Sequence, residues 1–137
     1  MLLEAMVKAK DAGPMVLDIV GDGVMEGTLR AQATALGLSD RVQFHGNQPP
    51  SRVAEIIRAA HVFCLPSVRE SGGAVLLEAM ACGRPIIAVA FGGPAEVTEA
   101  DVGCPVAAES PEQVTRDIAR ALADVFNQPE QWAERGK

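Results

Sequence analysis

The sequence predicts an α/β fold: a Rossmann-like parallel sheet of about five strands with helices on both faces. Short apolar runs of strand length alternate with helix-period segments about five times over residues 1–137. Glycine and proline punctuate most of the junctions. The 48% hydrophobic content is aliphatic rather than aromatic, with aromatics at 4% and no tyrosine, which suits layered packing of helices on a buried sheet. The length fits a single domain over residues 1–137.

Leu2, Leu3, Met6, Val7 and Lys10 have the spacing of a short amphipathic helix, closed by Gly13-Pro14. Residues 16–20 read as the first strand, and residues 25–36 as a helix that Gly37 stops. Residues 42–45 form the second strand. Ser51 is the expected N-cap of a helix running to residue 60. Val62-Phe63-Cys64-Leu65 is an apolar third strand ended by Pro66. The loop 67–73 leads into a helix over 74–82, and Gly83-Arg84-Pro85 turns the chain into strand four, residues 86–90. A short helix over 95–99, a strand over 104–106 and a helix over 113–126 with Pro111 near its start complete the alternation. Trp132 is expected to pack the tail.

The net charge of −6 argues against nucleic acid or an anionic membrane as a partner. Cys64, Cys82 and Cys104 form no CxxC pair and read as small hydrophobes of a reducing compartment. Two isolated histidines and scattered carboxylates give no metal-ligand spacing, so no metal and no cofactor is expected. No signal peptide or run of about 18 apolar residues is present, so the chain is expected to be cytoplasmic with no transmembrane segment.

In such sheets ligands bind beyond the carboxyl ends of the strands. The candidate loops are Gly21-Asp22-Gly23, His45-Gly46-Asn47-Gln48, residues 66–73 and Phe91-Gly92-Gly93. In the third, Ser71, Gly72, Gly73 and Ala74 open a helix, where free amides and the helix dipole attract an anion such as phosphate. The same glycines also suit a plain tight turn. Glu70 precedes the helix, and Glu78 lies within it among apolar neighbours. Glu78 is either a helix residue paired with Arg84 or a carboxylate offered to ligand hydroxyls. His45 is expected to make ordinary hydrogen bonds at a strand end, and Asp22 to fix its turn. Glu96 is either a substrate contact or a favourable charge in a first helical turn.

Pro66-Ser67, Arg69-Glu70-Ser71-Gly72-Gly73, Leu77-Glu78-Ala79-Met80-Ala81-Cys82-Gly83 and Pro85 resemble the signature of group 1 (family 4) retaining glycosyltransferases. So do Ile19-Val20-Gly21-Asp22-Gly23, Val42-Gln43-Phe44-His45-Gly46 and Gly92-Gly93-Pro94-Ala95-Glu96, in the family's order. The resemblance implies the C-terminal, donor-binding half of a two-domain GT-B enzyme, using a UDP- or GDP-sugar in polysaccharide or glycolipid biosynthesis. It implies that Glu70 is the catalytic-site residue on the donor sugar. Amides around Ser71, Gly72, Gly73 and Ala74 would meet the diphosphate, Glu78 the ribose, and the Gln48 main chain the base. Transfer would proceed with retention of configuration and without a metal.

This sequence departs from the family in having Gly72 where Phe is common, and in showing neither the opening strand nor its Arg and Lys. Lys8 and Lys10 fall in a helix pattern instead. A fragment, inactive alone, is therefore expected, with the acceptor held by an absent N-terminal domain that could also attach it to a membrane surface. The absent strand is central in the family's sheet. The gap between the first and third strands here is expected to close into the order 2-1-3-4-5, or to be filled by another chain, as in self-association. An inactive nucleotide-binding module, an epimerase-like GT-B domain and a receiver-type signalling domain are the competing readings. Only Asp22 suits the last as a phosphoacceptor.

Overall fold

The computed structural model describes residues 1–68 and 73–137. Helix α1 (Leu2–Lys8) buries Leu3, Ala5 and Met6, and a short 3-10 turn follows at Lys10–Ala12. Strand β1 (Leu17–Val20) leads to α2 (Glu26–Ala35) and β2 (Val42–Gly46). Helix α2 closes as expected at Gly37: the Gly37 amide donates to Thr34 and the Leu38 amide to Ala33, which satisfies two terminal carbonyls.

Helix α3 (Pro50–Ala59) starts at Pro50 with Pro49 as its cap, so Ser51 is inside the first turn rather than the cap. Proline needs no amide partner at that position, and its fixed φ already suits the helix. Strand β3 (Phe63–Leu65), α4 (Ala74–Ala81) and β4 (Ile86–Val89) follow. Helix α5 (Gly93–Val97) begins two residues before the expected start, with Pro94 in its first turn. Strand β5 (Gly103–Val106) and α6 (Pro111–Asn127) come next, the latter capped by the Ser110 side chain accepting from the Gln113 amide at 3.1 Å. The tail forms α7 (Pro129–Arg135), and Trp132 is buried as expected.

Within β4 the two-residue period of a strand sorts the core. Ile87 and Val89 pack with Val114, Ile118 and Trp132 from α6 and α7, while Ile86 and Ala88 pack with Leu76 of α4. Helices therefore cover both faces: α1, α2 and α6 on one, α4 and α5 on the other.

The five strands do not form one sheet. β1 pairs in parallel with β2, and β3, β4 and β5 form a separate parallel ladder. The expected closure of β1 onto β3 is thus not observed. Side-chain packing joins the halves instead. Leu3 and Met6 of α1 pack with Val42, whereas Ala5 and Ala9 pack with Ile87, Val89 and Val106. Met15 and Leu122 touch both clusters. Helix α1, packed against α6, thus bridges the two halves through its side chains. All residues of β4 are at most 1% exposed, but those of β3 are half-exposed, as Leu17, Ile19 and Val20 are in β1.

Candidate functional site

The strands run parallel within each ladder, so each ladder has one edge of strand starts and one of carboxyl ends. The carboxyl ends carry the loops where Gly21, Gly46 to Gln48, Ser67 and Phe91 emerge. A groove of about 470 Å³ lined by Val7, Lys10, Leu36 and Arg41 lies at the other edge, before β1 and β2, and has no part in this site.

Glu70, Ser71 and Gly72 lie outside the described residues. Gly73 is buried and caps α4 in the left-handed region, at φ 63°. A side chain there would be strained by this backbone, and its Cβ would stand 3.6 Å from the Gly93 carbonyl carbon and the Pro94 nitrogen. The starts of α4 and α5 thus abut. The Gly73 carbonyl accepts from the Leu76 amide at 2.9 Å, which sets the first turn. Amides of a first turn have no partner within the helix, so such a start is suited to an anion.

Ala74, Leu77, Glu78 and Ala81 form the exposed face of α4, and Leu76 and Ala79 its buried one. The apolar neighbours of Glu78 in sequence made it look enclosed. The helix turns it outward to the face that Ala74 starts, four residues and about one turn away. Among the described residues Glu78 makes no ion pair with Arg84. Arg84 is half-buried, and its Nε has no partner among the described residues.

Gln48 is half-buried, with its side chain donating to the His45 carbonyl at 2.7 Å. His45 does make an ordinary strand-end bond, to Asp18 of β1 at 2.6 Å. Asp22 makes no side-chain hydrogen bond among the described residues. Its turn is held by the backbone instead, the Gly21 amide donating to the Gly46 carbonyl at 2.7 Å. Glu96 is exposed in the first turn of α5.

Sequence reasoning missed an apolar rim on the loops of this edge. Val24 (99%), Met25 (56%) and Phe91 (57%) are exposed. Nothing local distinguishes them from core residues, since only the tertiary fold says that those loops stay uncovered. The Thr98 hydroxyl, just after α5, is buried without a partner among the described residues. The three cysteines are free and half-buried. Protein packed around Cys64 pushes its thiol up to about 12, with a further rise from Cys104, and burial also raises Cys104. Both are therefore poor nucleophiles. Among the described residues no three His, Cys, Asp or Glu side chains cluster as a metal site. No helix there is long and apolar enough to cross a membrane.

The family profile "Glycosyl transferases group 1" matches residues 1–137. The chain belongs to the group 1 glycosyltransferases. It is 38% identical over 128 residues to a D-inositol 3-phosphate glycosyltransferase of Segniliparus rotundus, covering 89% of this chain and 28% of that protein. It is 39% identical over 93 residues to a 2-deoxystreptamine N-acetyl-D-glucosaminyltransferase of Streptomyces fradiae, covering 65% of this chain and 22% of that one. The chain thus spans little more than a quarter of the length of such relatives. Its fold matches Anabaena HepE in complex with UDP, with a TM-score of 0.83 and 25% identity over 98% of this chain and 37% of HepE. HepE in complex with UDP-glucose gives the same TM-score at 26% identity, over 98% of this chain and 37% of HepE. The α/β architecture is that of the GT-B glycosyltransferases.

Proposed function

We propose that this chain is the donor-binding domain of a retaining glycosyltransferase that takes a nucleotide-diphosphate sugar. One observation carries the reading. HepE, which has the same fold, is in complex with UDP-glucose, and here a buried left-handed Gly73 opens a helix whose exposed face carries Ala74 and Glu78. In this reading the diphosphate lies at the start of α4 against the Gly72, Gly73 and Ala74 amides, and Ser71 joins it there. Glu78 accepts from the ribose hydroxyls, the Gln48 backbone meets the base, and Glu70 contacts the donor sugar. No metal or cofactor takes part. The leaving diphosphate needs cationic stabilisation, which Lys8 and Lys10 do not offer from the opposite edge.

The acceptor, a sugar or lipid-linked sugar, is held by a further domain on the cytoplasmic side of the membrane, and this chain alone transfers nothing. The half-exposed β1 and β3 favour self-association along the seam. A binding module without chemistry is the second reading, supported by Lys8 and Lys10 lying before β1, away from the loops that follow the strands.

Calorimetry with UDP, GDP and ADP tests the site. UDP or GDP is expected to bind at millimolar concentration, and Glu78→Gln to lose about 1–3 kcal/mol, the scale of a hydrogen bond to a charged acceptor. Silence from all three nucleotides would exclude the reading for this chain. Equal affinity of parent and variant would remove Glu78 from the site.

A further inference from the structure

The ends of β1 and β2 are joined by more than their ladder. Ile19 pairs with Phe44, and the next pair is Val20 with Gly46, so His45 is an extra residue in β2, a bulge. Bulges re-aim side chains at the ends of strands. The neighbouring Phe44 packs on the α2 face, beneath the Arg30 guanidinium at 4.3 Å. Leu17 and Ile19 of β1 pack on that face too, which leaves Asp18 on the other side. There His45 Nε2 meets Asp18 Oδ1 at 2.6 Å. A carboxylate oxygen only accepts, so Nε2 carries the proton. The side chains keep 22% and 34% of their exposure, so the contact is sheltered but not sealed.

The backbone of the same bulge is held at two further points. The His45 carbonyl accepts from the Gln48 side chain at 2.7 Å, and the Gly46 carbonyl accepts from the Gly21 amide at 2.7 Å. Gly46 allows this because its φ is +64°, a left-handed conformation that turns the carbonyl back toward β1. Two of these hydrogen bonds tie β1 and its loop to the bulge, and the third closes the 46–48 loop on the bulge itself. Only the His45–Asp18 bond runs between two side chains of different strands.

We propose that His45 and Asp18 are a positioning pair that fixes the height of the 46–48 loop against the 21–23 loop, and so sets nucleotide affinity. This rests on the donor-site reading given above. Neither side chain touches the nucleotide. The pair acts through the Gly46 to Gln48 backbone, which is meant to meet the base.

His45→Leu removes the donor, and His45→Gln keeps an N–H at similar reach. UDP affinity is expected to fall at least tenfold in His45→Leu and to stay within about threefold of the parent in His45→Gln. Asp18→Ala should match His45→Leu, and the double variant Asp18→Ala with His45→Leu should be no worse than either. Hydrogen exchange of the Gly21 amide reads the latch without any nucleotide. It should speed up at least tenfold in His45→Leu and Asp18→Ala and hold in His45→Gln, with circular-dichroism melts showing all variants folded. A parent that binds no UDP would sink the donor-site reading and leave Gly21 exchange to decide the latch. Unchanged exchange in both disrupted variants would overturn the proposal. So would UDP affinity within twofold of the parent in both, or an equal loss in His45→Gln and His45→Leu.

Discussion

Gly103→Ala is expected to destabilise the domain by at least about 3 kcal/mol, the upper end for overpacking a core. An added Cβ would stand 1.9 Å from the Ile86 carbonyl oxygen, with the Ile86 carbonyl carbon and nitrogen at 2.7 and 2.9 Å. These are backbone atoms of β4, whose residues are at most 1% exposed. No rotamer change relieves the clash, so β5 must move away from β4 and break the pairing of Gly103 with Ile86. A circular-dichroism melt checks it: a midpoint within 5 °C of the parent, about 1 kcal/mol for a domain of this size, would show that β5 yields without cost.

Trp132→Ala should cost about 3–5 kcal/mol and lower the melting midpoint by roughly 10–20 °C. Trp132 is 2% exposed in the cluster that holds Ile87, Val89 and Ile118. Its Nε1 donates to Asp124 Oδ2 at 3.0 Å, and the Arg135 guanidinium lies 4.7 Å from its ring. Truncation opens a cavity against β4 and strips Asp124 of that partner. Trp132→Phe keeps much of the ring and loses only the hydrogen bond, so it should cost less than half as much. Equal midpoints for the two variants would show that the indole N–H, not the packing, holds α7 in place.

Much of the fold was legible because its signals are local. Alternation of apolar runs with helix-period segments placed all five strands and the helices between them, and Gly37 closed α2 where its position predicted. Boundaries moved where proline altered the start of a helix, as at Pro50 and Pro94. Non-local features were not legible. Whether β1 pairs with β3 is decided by tertiary packing, and no window of sequence carries that. The exposure of Glu78 followed from which face of α4 meets β4, while its neighbours Leu77 and Met80 suggested a buried run. The Asp18–His45 contact joins residues 27 apart through a bulge that composition does not reveal. Of the candidate site, Gly73, Ala74, Glu78 and Gln48 fall on the expected edge, while Glu70, Ser71 and Gly72 lie outside the described residues.

The two ladders have a consequence for how the chain assembles. Each pairs only strands that follow one another in sequence, β1 with β2, β3 with β4 and β4 with β5. The loops closed in forming them are short, and short closures are fast. Helix α1 is different. Ala5 and Ala9 must meet Val114 and Ile118, more than a hundred residues away. Two rapidly forming halves joined by one distant docking step describe a folding route in which the chain's two ends come together last. That late step would bring Ala5 to Ile118 and, in the same movement, Leu3 and Met6 to Val42.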